Sequence, residues 1–110
     1  MLKMKLLLEH WEGLKPIIHI EGKHLKRFIS FISKKQIKLI CEIALNVLYG
    51  IIPISKYYRQ KLQGYYTFLK LLAKKNISLT KKKEIIIDNL IGLVLLLKSS
   101  KLIIQNLIKK

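Results

Sequence analysis

Ser33-Lys34-Lys35-Gln36-Ile37-Lys38-Leu39-Ile40-Cys41-Glu42-Ile43-Ala44-Leu45-Asn46-Val47-Leu48-Tyr49-Gly50 is the stretch that decides the fold. Ser33 and Gln36 stand in capping-box spacing, with the Ser hydroxyl at the cap and Gln three residues on. Gly50 suits the position after a helix end, where a left-handed backbone is needed. The spacing therefore predicts a helix from Lys34 to about Tyr49. Its polar positions, Lys35, Lys38, Glu42 and Asn46, recur every three to four residues, and the rest is apolar. So narrow a polar stripe predicts a central helix with most of its circumference covered.

Working outward, Gly50 and Pro53 mark a turn, and Ser55 caps a second helix expected from Lys56 to Lys75. Tyr58, Leu62, Tyr65, Leu69 and Leu72 form its apolar seam, opposite Lys56, Gln60, Gln63, Thr67, Lys70 and Lys74. Asn76-Ile77-Ser78 makes the next turn. Thr80 is expected to cap a third helix from Lys81 to Leu97 or beyond. Upstream, His24 to Ser33 reads as a shorter helix with Leu25, Phe28, Ile29 and Ile32 on one side. Residues 1–12 suit one more. Gly13 to Pro16 and Gly22 punctuate this quarter, and Ile17 to Ile20 is at most a lone extended piece without a partner strand. The expectation is an all-α fold, a small bundle of three main helices plus one or two short N-terminal helices. Its parts are an N-terminal segment over 1–22, a helical domain over 23–98 and a basic, apolar tail over 99–110.

With 110 residues the chain suits one domain. Leu and Ile fill 40 positions, which argues against a disordered basic tail with nothing to bury. Lys and Arg number 22 against 6 acids, for a formal net charge of +16. A field of that strength repels itself and draws polyanions, so nucleic acid and anionic membrane are the partners to weigh. Cys41 is the one cysteine, which excludes an intrachain disulfide and leaves a thiolate zinc site short of ligands. Lys3 and Lys5 before Leu6-Leu7-Leu8 resemble a signal peptide only faintly, and Glu9, His10 and Glu12 interrupt the apolar run. No secretion signal and no membrane-spanning helix are expected, since Ile85 to Leu97 falls short of the roughly 20 residues a span needs.

Three expected helices open on cations: Lys34 and Lys35, then Lys56 and Arg59, then Lys81, Lys82 and Lys83. Helix N-termini carry partial positive charge, so these cations are locally unfavourable unless an anion sits there. Lys38, Lys61, Lys70, Lys74 and Lys75 complete a candidate nucleic-acid-binding set, able to lie along a phosphate backbone and release counterions. The alternative is a solvated face. Lys outnumbers Arg twenty to two, which favours diffuse contact over bidentate reading of base edges. An AT-rich coding sequence produces the same bias. Tyr57 and Tyr66 are free to stack on bases, whereas Tyr58 and Tyr65 belong to the seam. No nucleophile-elbow, Walker or HExxH spacing occurs, and His10, His19 and His24 are scattered. No enzyme activity, cofactor, metal or small-molecule substrate is expected.

From Lys34 to Glu84 the order of elements resembles small basic proteins of adintoviruses and Polinton-like elements. The residues that carry the likeness are Lys35 to Leu48, the Gly50-x-x-Pro53-x-Ser55 turn, Leu69-x-x-Leu72-Ala73 and the Ser78-x-x-Lys81-Lys82-Lys83 start. Such proteins continue into a Gly-Gly-aromatic-Leu tail similar to that of the precursor of the adenovirus core peptide mu. The resemblance implies a virion core protein that packs double-stranded DNA, located in the virion or in the host nucleus or cytoplasm. Here the stretch Asn89 to Leu97 carries Gly92 alone, and the helix from Lys56 has Tyr-Tyr pairs where the family carries Lys and Arg.

The leading expectation is a nucleic-acid-binding protein without sequence preference. Its alternatives are a membrane-active or capsid-associated protein acting through residues 85–108, and a structural interaction module. Forty Leu and Ile residues also exceed what one small core readily hides, so a homo-oligomer through Ile85 to Leu97 and part of the Lys34 helix is expected.

Overall fold

The computed structural model describes residues 2–109, and over these the chain is all-α, with no strand. The elements in order are α1 (Met4–Leu14), a 3-10 turn (Lys15–Ile18), α2 (Gly22–Ser30), α3 (Lys34–Leu48), α4 (Lys56–Leu62), a 3-10 turn (Gln63–Tyr65), α5 (Tyr66–Ala73), α6 (Leu79–Ile87) and α7 (Leu90–Ile108). The radius of gyration is 12.7 Å, against the ~13 Å typical of a domain this long.

Helix α3 is the centre, as its narrow polar stripe predicted. The Ser33 hydroxyl accepts from the Gln36 N–H at 3.1 Å, and the Gln36 side chain accepts from the Ser33 N–H at 2.7 Å. Gly50 adopts φ +73°, a conformation that strains any residue with a Cβ. Leu39, Ile40, Ile43 and Ala44 are fully buried, with α5 against one side and α1 against another. Asn46, expected on the polar stripe, is instead fully buried. Its Nδ2 donates to the Glu42 carbonyl at 2.6 Å, while its Oδ1 finds no donor. The stripe fails there because Ile52, itself buried, folds back on the helix end and donates its N–H to the Asn46 carbonyl at 3.1 Å.

Two expected helices are each split in two. The Lys56 helix is capped by Ser55 as expected but breaks into a 3-10 turn around Gly64, a residue that weakens a helix interior by about 1 kcal/mol. It ends at Ala73, short of Lys75. The third helix begins two residues early: Ser78, and not Thr80, accepts from the Lys81 N–H at 3.1 Å. It stops at Asp88–Asn89, where the Asn89 side chain donates to the Ile85 carbonyl at 2.8 Å and replaces the donor of a continuing helix.

The segments drawn as termini are structural. Leu7, Trp11, Leu14 and Ile17 of residues 1–22 lie in the core, with Ile17 in a 3-10 turn and not an extended piece. Residues 99–108 form no separate tail: they continue α7, and Ser99, Ser100 and Ile104 are buried. The two serine hydroxyls donate to the Leu96 carbonyl at 2.8 and 2.9 Å, which lets them sit buried without orphaned donors. The Ile85 to Leu97 stretch supplies Ile86, Leu93, Leu96 and Leu97 to the same core. Ile91 of the same stretch stays exposed, and Ile85, Ile87, Leu90, Val94 and Leu95 are half-buried.

Candidate nucleic-acid interface

Ten of the twelve candidate cations are exposed: Lys34, Lys35, Lys38, Lys56, Arg59, Lys61, Lys70, Lys74, Lys75 and Lys81. Lys34 and Lys35 occupy the first turn of α3, where Ser33 already satisfies the Gln36 N–H. Lys56 and Arg59 line an open concavity of about 300 Å³ together with Gln60, Gln63 and Tyr66. The Lys61 ammonium stands 5.5 Å from the centre of the Tyr57 ring, a cation–π distance. Tyr57 meets Tyr58 edge to face, with ring centres 5.1 Å apart. Tyr57 is 61% exposed and presents its ring to solvent. Tyr66, expected to be equally free, is half-buried like Tyr58 and Tyr65.

The Lys81-Lys82-Lys83 run does not act as one exposed patch. Lys81 is exposed and pairs with Glu84 at 3.6 Å. Lys83 is half-buried and donates across to the Ser30 carbonyl at 2.5 Å, tying α6 to the end of α2. Lys82 is only 7% exposed. With Leu79 as the first residue, Lys82 and Ile86 lie one turn apart on the inner side of α6. Lys82 instead lines a cavity with Lys38 and Lys75, joined by Lys3, which the sequence reading did not single out. The residues that meet there are far apart in sequence, so no local pattern signals the cluster.

Carboxylates leave this charge almost untouched. Among the described residues, the only lysines paired with a carboxylate are Lys15, with Glu12 at 3.5 Å, and Lys81, with Glu84. No group of three His, Cys, Asp or Glu side chains suited to a metal occurs among them either. Burial pushes the Cys41 thiol up to about 11, with Lys82 pulling it down and Glu42 raising it further.

Helix α7 runs longer than expected. By length and composition alone it is apolar enough to cross a membrane, and 39% of its 18-residue apolar window is buried within the fold. Lys98 and Lys101 interrupt it midway, where a cation near a bilayer centre costs about 2.5–3.5 kcal/mol on insertion scales. No protein family, no curated protein and no solved structure matches the chain.

Proposed function

We propose that this chain binds nucleic acid, double-stranded DNA foremost, by neutralising phosphates without reading base sequence. The observation that carries the reading is a net charge of +16 on a folded domain whose lysines are left almost wholly without carboxylate partners. Cations already neutralised within the protein gain little from a phosphate; free ones release the counterions of the polyanion. The excess of Lys over Arg agrees with contact that lacks bidentate base recognition. The resemblance to adintovirus and Polinton-like core proteins supports the same assignment and adds a place for it, in the virion core. A second copy of the chain, met through the outer side of α7, is the other partner proposed.

A salt titration on random duplex tests the reading. Log affinity should fall against log salt with a slope of about −0.9 for each phosphate neutralised. Affinity that stays flat from low to physiological salt refutes it. Lys70 and Lys74 are the residues to reverse, because both are exposed and neither side chain has a hydrogen-bond or ion-pair partner among the described residues. Lys70→Glu with Lys74→Glu should weaken all sequences alike and flatten the slope, whereas a loss confined to one sequence contradicts non-specific contact.

Membrane association through α7 is the second reading, favoured by the length of the helix and by Ile91 and Leu102, which are 68% and 72% exposed. Anionic vesicles run beside the duplex decide between them: flotation without duplex binding selects the membrane.

A further inference from the structure

Lys82 presents a problem that the diffuse surface does not solve. Burying an ammonium without a partner is costly, and such groups are normally paired. Yet among the described residues Lys82 is 7% exposed while its side-chain ammonium makes no hydrogen bond and no ion pair, its nitrogen keeping contact with the open cavity. It lines a cavity of about 430 Å³ between α3, the end of α5, the connection to α6 with the start of α6, and the beginning of α1 with Lys3 before it.

The balance of charge around that cavity favours an anion. Lys3, Lys38 and Lys75, all exposed, line it with Lys82, against Glu42 as the single acid. The start of α6 is there too, through Ser78 and Leu79. Ser78 satisfies the Lys81 N–H with its hydroxyl and the Lys82 N–H with its carbonyl, at 3.1 and 2.9 Å. The N–H groups of Leu79 and Thr80, in the first turn, have no acceptor in the fold. A helix N-terminus with free N–H groups stabilises negative charge. Four ammonium groups and one carboxylate leave three net positive charges at one concavity, more than a single negative charge balances.

We propose that this cavity is a specific site for a phosphate monoester, held as the dianion by Lys82 with Lys38 and Lys75 and by the free N–H groups of α6. A terminal phosphate fits better than a backbone diester. It carries two negative charges and protrudes, so it can enter the cavity and reach the Lys82 ammonium that lines it. A stiff duplex presents its diesters flanked by sugars on both sides. The leucine and isoleucine walls of the cavity, Leu45, Leu72 and Ile77, leave apolar room for whatever bears the phosphate. The site stands apart from the duplex reading, because its ligand is small and is measured without nucleic acid.

Inorganic phosphate titrated at fixed ionic strength against the isotope-labelled full chain tests it by amide NMR. Saturable shifts are expected at Leu79, Thr80 and Lys82. Lys82→Met keeps the aliphatic stem and removes the charge, and should weaken phosphate at least tenfold. Lys38→Gln with Lys75→Gln, both exposed, gives a second variant that does not disturb the core and should weaken phosphate likewise. Shifts that grow linearly and equally at all lysines overturn the site, as does unaltered phosphate affinity in either variant. A nucleoside 5′-monophosphate and an oligonucleotide with or without its 5′-phosphate then separate a free ligand from a DNA end. Either result upholds the site if Lys82→Met abolishes it, and equal binding of phosphorylated and unphosphorylated forms refutes it.

Discussion

Cys41 is where burial and charge meet most sharply at one residue. Its thiol is held near 11, above the ordinary cysteine value of about 8.5, chiefly because burial disfavours the thiolate. The folded chain therefore retains a proton that the unfolded chain releases as pH rises past about 9. Stability from this group is fully present below that range and is lost progressively as pH climbs toward 11. The slope is about 1.4 kcal/mol per pH unit at most. Urea denaturation between pH 8 and 10.5 should show the wild type losing stability faster than Cys41→Ala. Parallel losses in the two proteins would remove the argument. Over the physiological range the residue stays a thiol, so a slow reaction with alkylating reagents is expected of it.

At the scale of elements, two glycines in the same half of the fold have opposite consequences. Gly92 lies in the first turn of α7, where a Cβ would sit 2.8 Å from Cδ1 of Tyr65 and 3.0 Å from Cδ2 of Phe68. Gly64 lies in the 3-10 turn between α4 and α5, with nothing within 4 Å of a Cβ. Gly92→Ala should therefore lower stability by about 1–3 kcal/mol by overpacking against two rings, despite the usual helix gain. Gly64→Ala should raise it by about 0.4–1 kcal/mol by restricting the unfolded chain. Thermal melts of the pair check both signs, and a stabilised Gly92→Ala would show that α7 does not approach α5 as closely as drawn. These glycines also mark what was legible in the sequence. Ser33, Gln36, Gly50 and Ser55 announced their helix ends through local chemistry, and the structure keeps them. The breaks at Gly64 and Asn89 were harder to read, because the apolar periods on either side run on through them and a lone Gly or Asn inside such a pattern is compatible with a continuing helix. The candidate site divides the same way. Its exposed lysines were readable from local pattern, but the cluster of Lys3, Lys38, Lys75 and Lys82 exists only once α1, α3 and α6 are assembled.

For the whole molecule, the open question of association turns on what α7 leaves outside. Ile91, Leu95, Lys98, Leu102 and Asn106 follow one another at spacings of four, three, four and four, so they share one side of the helix. Ile91, Lys98, Leu102 and Asn106 are exposed and Leu95 is half-buried. This stripe is apolar at Ile91, Leu95 and Leu102, with the Lys98 cation between them and Asn106 at its end. Two copies pairing α7 against α7 about a twofold axis bury the leucines and isoleucines but bring the two Lys98 side chains toward each other. Each copy also carries +16, a repulsion that salt screens beyond a Debye length of about 10 Å at 0.1 M. The homodimer should accordingly be salt-dependent in the direction opposite to DNA binding, weak in dilute buffer and stronger as ionic strength rises. Lys98→Leu should bring dimerisation down to low salt, and Ile91→Lys should abolish it at any salt. Light scattering at tens of micromolar, on protein freed of nucleic acid, reads all three. If the wild type and Lys98→Leu both stay monomeric from low to high salt, the outer side of α7 is not an interface, and the apolar excess of this sequence is accounted for by its own core.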